Sequence, residues 1–220
     1  MDMGATPRAR TRPALELVDK QLPSKRQLEI ILSKLKIFET PTLRLEQYPV
    51  SPEAAAELLY MAGFEHDDLE GRIIDLGTGT GRLAIGVALM SQTHIVGVDI
   101  DARALELARE NAKTAGVKVN WVQSTIDQLD GTYDTVIMNP PYGTRTVHAD
   151  TRFLDKAFQL APTTYSIHKA ATRTFLARYV HKSNRRIAEA RTMSMKIPHL
   201  YSFHTRRWKS IEVDLCRIVT

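Results

Sequence analysis

Cysteine pairs, long apolar runs and clustered histidines are missing from this sequence, and each absence excludes a class of protein. Cys216 is the single cysteine, so an internal disulfide framework and a zinc site built from cysteines are excluded. The seven histidines lack the spacing of metal ligands, and no metal site is expected. No apolar stretch approaches the roughly 20 residues that span a bilayer, and none follows the N-terminal arginines as in a secretory signal. We therefore expect a cytoplasmic protein.

Acidic residues are scarce in residues 169–209, where eleven lysines and arginines accompany Glu189 alone, a net charge of +10. The whole chain of 220 residues carries only +5, so the positive charge is concentrated rather than general. A solvated helical surface would be the simpler interpretation. Charge concentrated to this degree favours a surface that binds nucleic acid.

Apolar segments of strand length alternate with amphipathic segments of helix length from Ile73 onward. This alternation predicts a Rossmann-like, doubly wound, mainly parallel sheet with helices on both faces. Two closing strands predict an antiparallel hairpin at the sheet edge, and alternation in the last one predicts a half-buried strand. The predicted strands are residues 73–76, 95–98, 117–122, 133–138, 164–167, 187–195 and 210–219. The predicted helices are residues 82–90, 102–115, 152–160 and 170–181.

The residues before the first strand are predicted to form a flexible basic tail, residues 1–22, and a helical lead-in to a single domain, residues 23–220. Ser24 and Gln27 fit a capping box at the start of one helix. Pro52 fits the first position of a second helix, which we expect to run to about residue 61. The segment of residues 43–48, bracketed by prolines, is expected to be extended.

A glycine-rich turn follows the first predicted strand and indicates a cofactor site. Gly77, Gly79 and Gly81 let the backbone turn tightly and let a ligand approach the main chain. Their spacing is not the Gly-x-Gly-x-x-Gly of pyrophosphate-binding turns, and Asp75 before the turn suits an ammonium group better than a phosphate. Asp99, at the end of the next strand, can accept hydrogen bonds from both ribose hydroxyls. These features predict S-adenosylmethionine, which has an amino acid end and a nucleoside but no phosphate.

The fourth predicted strand ends in Asn139, Pro140, Pro141 and Tyr142, where ligands of open α/β sheets bind. An aromatic or amide nitrogen is a poor nucleophile because its lone pair is delocalised. The Asn139 side-chain oxygen and the Pro140 carbonyl could accept both hydrogens of an –NH2 group and so direct its lone pair towards a methyl donor. Tyr142 offers a face on which a planar base stacks. No general base is required, so positioning and electrostatics would carry the catalysis.

The combination resembles the amino-methyltransferases that act on adenine, guanine or glutamine amides. Further matching segments, residues 45–49, 136–144, 165–169 and 203–215, make the chain similar to the methyltransferase-like-5 family, from about Arg26 to the end. That family makes N6-methyladenosine in small-subunit ribosomal RNA. The resemblance implies a partner as well, a small zinc-binding activator protein that pairs with the sheet edge and stabilises the enzyme.

Carried over by position, the resemblance implies two sets of contacts. Contacts to the cofactor would come from Gln47, Tyr48, Pro49, Asp75, Gly77, Gly79, Asp99, Ile100, Thr125 and Asn139. Contacts to the adenine and the RNA would come from Tyr142, His168, Lys169, His204, Arg206 and Arg207. Val50 departs from the family, which often has Thr there, and Thr125 stands where the family often has an Asp that contacts the cofactor adenine. Thr125 or Asp127 is expected to replace that contact.

Three other functions share part of this pattern. A glutamine-N5 protein methyltransferase would use the same four residues, but usually with an extra helical domain ahead of the catalytic one. A guanine-N2 RNA methyltransferase would use the same stacking. A non-catalytic RNA-binding module would not need an intact cofactor turn. The basic segment and the short lead-in favour adenine-N6 methylation of structured RNA.

Overall fold

Seven strands form the central sheet of a computed structural model that describes residues 22–39, 41–42, 45–142, 149–198 and 208–220. In chain order they are β1 (Arg72–Leu76), β2 (His94–Asp99), β3 (Asn120–Gln123), β4 (Thr135–Met138), β5 (Thr163–Lys169), β6 (Arg186–Pro198) and β7 (Trp208–Val219). Their order across the sheet is β3-β2-β1-β4-β5-β7-β6. Strands β1 to β5 pair in parallel, whereas β7 pairs antiparallel with both β5 and β6. The predicted mainly parallel sheet with an antiparallel edge is therefore confirmed.

Six α-helices of the described residues cover the sheet and create two cores. They are α1 (Lys25–Ser33), α2 (Pro52–Tyr60), α3 (Arg82–Met90), α4 (Ala102–Ala115), α5 (Ala149–Leu160) and α6 (Arg173–Lys182). Buried residues of α1, α2 and α3 pack on one face, against residues such as Ile73 and Ile137. Buried residues of α5 and α6 pack on the other face, against residues such as Ile74 and Val136. Neighbouring strand residues thus serve opposite cores, as the two-residue period of a strand requires.

Helix starts and ends follow the predicted signals closely. Ser24 and Gln27 form the capping box of α1, Pro52 is the first residue of α2, and Gly116 ends α4 in the left-handed conformation. A π-helical turn (Met61–Glu65) extends α2. Short 3-10 helices, Ile126–Gln128 and Ala170–Thr172, precede β4 and α6. Strand β3 begins three residues later than predicted, because the Val117 N–H still closes the helix by donating to the Ala112 carbonyl at 3.1 Å.

The prediction of an extended segment before Pro49 is wrong for its described residues. Glu46 has a φ of 49°, and the Tyr48 N–H donates to the Glu46 carbonyl at 2.7 Å. A residue with a left-handed φ turns the chain tightly. The pattern of apolar and polar residues in this segment does not predict such a turn. Residues 43 and 44 lie outside the described part of the chain.

The prediction of a half-buried last strand is also wrong, because both faces of β7 contribute buried residues to a core. Val213 and Leu215 belong to one core and Cys216 to the other. Asp214, on the polar side of the predicted alternation, is 1% exposed and pairs with Arg173 at 2.6 Å. An ion pair of this geometry satisfies a carboxylate inside the fold.

Two predicted features lie outside the described residues: nearly the whole tail of residues 1–22 and the connection between β6 and β7. None of the helices in the part of the chain that is described has the length and apolar character needed to cross a membrane.

Candidate active site

A cavity of about 310 Å³ opens along the carboxyl ends of β1, β2 and β4. Parallel strands place their carboxyl ends at one edge of the sheet, so residues far apart in the sequence meet there. Each end contributes a polar group: Asp75 from β1, Asp99 from β2 and Asn139 after β4. The predicted cofactor residues that line the cavity are Gln47, Tyr48, Pro49, Asp75, Gly77, Gly79, Asp99, Ile100, Thr125 and Asn139.

The glycine turn between β1 and α3 bends sharply at three positions. Gly77, Gly79 and Gly81 have φ values of 68°, 55° and 84°, a backbone conformation that residues other than glycine rarely adopt. Gly81 is also a contact point, since a Cβ atom there would lie 2.7 Å from Cη2 of Trp121. Conformation and packing together require glycine at this position.

Asp99 is oriented by two backbone donors. The Gly79 N–H donates to its Oδ2 atom at 2.8 Å and the Asp101 N–H donates to its Oδ1 atom at 2.9 Å. Burial raises the pKa of Asp99, and both hydrogen bonds act against that shift. Because a carboxylate oxygen accepts more than one hydrogen bond, this carboxylate can still accept hydroxyl groups from a ligand. Asp101, not Asp99, caps α4.

Asp75 is a buried carboxyl group with one unused oxygen. Its Oδ2 atom accepts hydrogen bonds from Thr78 Oγ1 at 2.6 Å and from the Ala84 N–H at 3.1 Å. Its Oδ1 atom is buried and has no partner among the described residues. Burial raises the pKa of Asp75 to about 7. A cationic group in the cavity would satisfy this oxygen and restore the charged form.

The β3 end of the cavity combines apolar and ionic groups. Ile100 and Phe153 line it. Asp127 pairs with Arg152 at 2.5 Å, and the Thr125 hydroxyl donates to Gln128 at 3.2 Å. Both candidates for a contact with the cofactor adenine therefore lie at the cavity, each already engaged with a neighbour.

Residues 45–50 form one wall of the cavity and are fixed from two sides. Gln47 accepts from the Thr42 N–H at 2.6 Å and donates to Asp101 at 2.9 Å. Its polar atoms thus connect the wall to the start of α4. Glu46 is 6% exposed and accepts the Tyr142 N–H at 2.9 Å. The wall is thereby hydrogen-bonded to the turn after β4.

Asn139 and Tyr142 meet at the end of β4. The Asn139 Nδ2 atom donates to the Tyr48 carbonyl at 3.0 Å, which fixes the side-chain amide with Oδ1 as its acceptor end. The Tyr142 hydroxyl donates to that Oδ1 atom at 3.3 Å. Burial raises the pKa of Tyr142, so the hydroxyl stays protonated. The rings of Tyr48 and Tyr142 are near-parallel at 22°, with centroids 6.3 Å apart.

Lys169 and His168, predicted to lie near RNA, differ in their placement. The Lys169 ammonium lies 4.9 Å from the centroid of the Tyr142 ring. His168 is 4% exposed and its Nε2 atom lies 2.9 Å from Ser166 Oγ. Burial lowers the pKa of His168 to about 4. The structure does not place the His168 ring where RNA could contact it, because the side chain is almost fully buried. His204, Arg206 and Arg207 lie outside the described residues.

Part of the positive charge of residues 169–209 is paired with carboxylates of the same chain. Arg173 pairs with Asp214, and Arg191 pairs with Glu57, Glu65 and Glu189. Other basic side chains of this segment are exposed, namely Arg178, Lys182, Arg186 and Lys196. The surface charge available to a polyanion is therefore smaller than the sequence count suggested.

Two residues of the site had no predicted role. Glu46 stands inside the segment that carried the resemblance, but nothing in its neighbours indicates that its carboxylate binds the turn after β4. Arg82 follows the last glycine of the turn, where a charged residue at a helix start usually faces solvent, yet it is 5% exposed. The described residues contain no group of side chains able to hold a metal ion.

Comparison with known proteins gives three informative similarities. The family model of the methyltransferase small domain matches residues 53–164. The rRNA N(6)-adenosine-methyltransferase Mettl5 of Drosophila melanogaster is 35% identical over 201 residues, covering 87% of this chain and 94% of that protein. A proposed RNA methyltransferase of Pyrococcus horikoshii has a crystal structure with a TM-score of 0.83 and 35% identity, covering 89% of this chain and 97% of that one.

A shorter similarity connects the chain to an enzyme that acts on protein. A release factor glutamine methyltransferase of Deinococcus radiodurans is 42% identical over 73 residues, which make up 32% of this chain and 26% of that protein. The similarity to the rRNA enzyme extends over nearly the full length of both chains, whereas this one does not.

Proposed function

Because the chain belongs to the methyltransferase-like-5 family of rRNA N(6)-adenosine-methyltransferases, we propose that it methylates the exocyclic N6 amine of an adenosine in small-subunit ribosomal RNA. The methyl donor is S-adenosylmethionine. The observation that carries the proposal is the orientation of Asn139, whose amide nitrogen is held by the Tyr48 carbonyl at 3.0 Å. Asn139 lines the cofactor cavity, and its oxygen, which accepts only the long 3.3 Å bond from the Tyr142 hydroxyl, would accept a hydrogen from the substrate amine.

The residues that line the cavity suit this donor. A volume of about 310 Å³ is at the lower end of the range for small-molecule sites. Asp75 Oδ1 lacks a partner among the described residues and would accept a hydrogen bond from the ammonium group. Asp99 would accept the ribose hydroxyls, and Thr125 or Asp127 would face the adenine. When bound, S-adenosylmethionine supplies a methyl group that its sulfonium makes electrophilic.

Asn139 and the turn after β4 would prepare the substrate amine. The Asn139 Oδ1 atom and the Pro140 carbonyl would accept the two amine hydrogens, and this draws the nitrogen lone pair out of the ring π-system. Pro140 and Pro141 limit the conformations of the turn, and the bond from the Tyr142 N–H to Glu46 fixes it further. These groups act by preorganised hydrogen bonding rather than by proton abstraction. Water takes the proton that methylation makes acidic.

Tyr142 would hold the base by stacking, which contributes roughly 1–3 kcal/mol per base in nucleic-acid complexes. The Lys169 ammonium lies 4.9 Å from the ring centroid and would have to move or share the ring when a base stacks there. Its positive charge would then be near the RNA backbone. Exposed basic residues of α6 and β6, with Arg206 and Arg207, would contact phosphates.

We further infer a cytoplasmic location and a small zinc-binding activator protein as partner. No metal-binding group of side chains occurs among the described residues, so any zinc would come with the partner. Strands β3 and β6 form the two outer positions of the sheet, and an outer strand offers N–H and C=O groups for pairing with another chain. Co-expression should raise the melting temperature and the methylation rate. Equal values with and without the activator would show that this enzyme works alone.

Mass spectrometry tests the reaction directly. Small-subunit ribosomal RNA is incubated with the enzyme and isotopically labelled S-adenosylmethionine, then digested to nucleosides. Label in N6-methyladenosine is expected. Label in N2-methylguanosine, or in glutamine of an added release factor but not in RNA, would instead identify one of the alternative substrates.

A further inference from the structure

Arg82 is a buried arginine with an incompletely used guanidinium group. It is the first residue of α3 but only 5% exposed. Its Nη1 atom donates to the Val50 carbonyl. Its Nε atom is buried and lacks a hydrogen-bond partner within the described ranges. A buried donor without a partner on a charged group is costly, and a ligand with an acceptor group would remove this cost.

The free edge of this group has the geometry that a carboxylate requires. Nε and Nη2 form a two-donor edge, distinct from the Nη1 atom that binds Val50, and such an edge matches the two oxygens of a carboxylate. Burial lowers the pKa of Arg82 to about 10 and nearby Glu53 acts against that shift. The guanidinium therefore stays charged at neutral pH.

Arg82 lines the same cavity as Asp75. Asp75 has a buried oxygen without a described partner and Arg82 a buried nitrogen without one, and these two residues of opposite charge both line the cavity. The two residues are also close in the fold, since Asp75 accepts the N–H of Ala84 in the first turn of α3. The amino acid end of S-adenosylmethionine carries an ammonium group and a carboxylate, which are the complements of these two atoms.

The other arginine of this lining has a partner of its own. Arg152 pairs with Asp127 at 2.5 Å, beyond the end of β3, where the adenine is expected. The positive end of the α3 macrodipole adds to the Arg82 charge at the β1 end of the cavity. An anion in the cavity is therefore most stable beside Arg82.

We propose that Arg82 binds the α-carboxylate of S-adenosylmethionine and makes the enzyme selective for this cofactor over its decarboxylated form. The inference rests on the proposed function, because it assumes that S-adenosylmethionine is the ligand of the cavity. Nothing in the methyl transfer itself requires the carboxylate. Arg82 is thus a specificity-determining residue rather than a catalytic one.

Calorimetry with two ligands tests this assignment. The dissociation constants of S-adenosylmethionine and decarboxylated S-adenosylmethionine are measured for the wild type, Arg82→Met and Arg82→Lys. The ratio of the two dissociation constants is compared between variants, as in a mutant cycle. An effect that weakens both ligands equally, such as loss of the bond to Val50, cancels in this ratio. Asp99→Ala is the control, because it should weaken both ligands equally.

The wild type should bind S-adenosylmethionine about ten- to a hundredfold more tightly than the decarboxylated form, as expected for hydrogen bonds between charged groups. Arg82→Met should abolish most of this ratio. If Arg82→Met does not fold, Arg82→Lys keeps the stem and the charge but loses the two-donor edge, and should lower the ratio at least about threefold.

Two results would overturn the inference while leaving the proposed function intact: equal affinity of the wild type for both ligands, or an unchanged ratio in the folded Arg82 variants. A third result separates the two proposals. If the wild type binds neither ligand, the proposed function fails, and the assignment of Arg82 fails with it.

Discussion

Asn139→Ala is the substitution that tests the proposed mechanism most directly. The side chain makes two contacts in the structure: Nδ2 with the Tyr48 carbonyl at 3.0 Å and Oδ1 with the Tyr142 hydroxyl at 3.3 Å. In the proposed reaction Oδ1 accepts an amine hydrogen as the nitrogen becomes tetrahedral. Removal of one preorganised hydrogen-bonding group of this kind raises a barrier by about 2.7–4 kcal/mol, which corresponds to a rate reduced roughly a hundred- to a thousandfold.

The same substitution should affect the fold only slightly. Loss of the bond to the Tyr48 carbonyl costs about 1 kcal/mol, and a protein of this size should then melt about 2–4 °C lower. Asp75 and Asp99 do not hydrogen-bond to Asn139, so cofactor affinity should change by less than about tenfold. A tenfold change would correspond to about 1.4 kcal/mol of binding free energy.

Single-turnover methylation, with enzyme in excess over an adenine-containing RNA, separates these effects. The rate is measured at saturating cofactor, and cofactor affinity is measured in parallel by calorimetry. Asn120→Ala, at the exposed start of β3, is the matched control and should behave like the wild type. A rate for Asn139→Ala within about threefold of the wild-type rate would mean that the activation barrier rises by less than about 1 kcal/mol. That result would refute amine activation by Asn139.

Three further predictions concern substrate, pH and salt. Tyr142→Phe keeps the stacking ring and loses only a long bond to Asn139, so it should retain most activity. Tyr142→Ala should weaken RNA binding. An equal loss of activity in both variants would assign the hydroxyl a catalytic role. Burial gives Asp75 a pKa of about 7 in the folded protein, against an ordinary 3.8. Its contribution to the free energy of unfolding of the cofactor-free protein is therefore complete below pH 3.8 and is lost as the pH rises to about 7. Its size is at most about 4 kcal/mol. Melting curves of Asp75→Asn should therefore depend less on pH over that interval, and an identical dependence would contradict the raised pKa. Log RNA affinity should fall linearly with log salt, and reversing the charges of Arg206 and Arg207 should flatten the slope; an affinity independent of salt would favour a protein substrate.

The elements and cavity of the fold could be predicted because their signals are local. Glycines with left-handed φ values, apolar strand segments and helix caps each constrain neighbouring residues, and carboxyl ends of parallel strands meet by topology. This is why Asp75, Asp99 and Asn139, separated by more than sixty residues at the extremes, were expected at one site. Their placement in one cavity agrees with that expectation, and their roles stay predictions.

The features that sequence reasoning missed depend on contacts between distant segments. Glu46 has a left-handed φ and accepts the N–H of Tyr142, 96 residues away. Arg82 is buried and donates to the Val50 carbonyl, 32 residues away. His168 was assigned to RNA only by position in the resemblance, whereas its ring is almost fully buried. No pattern within one segment encodes which other segment will pack on it.

The position of β7 between β5 and β6 has a consequence for the order of folding during synthesis. Among the described strands, β6 pairs only with β7, and the ribosome makes β6 first. Until Trp208–Val219 has emerged, β6 has no strand to join and β5 is a temporary edge with unpaired backbone groups. Strands β1 to β4 need no later segment to pair with one another. Nascent chains halted before Trp208 should therefore protect the first half of the sheet against protease while β6 is still cut.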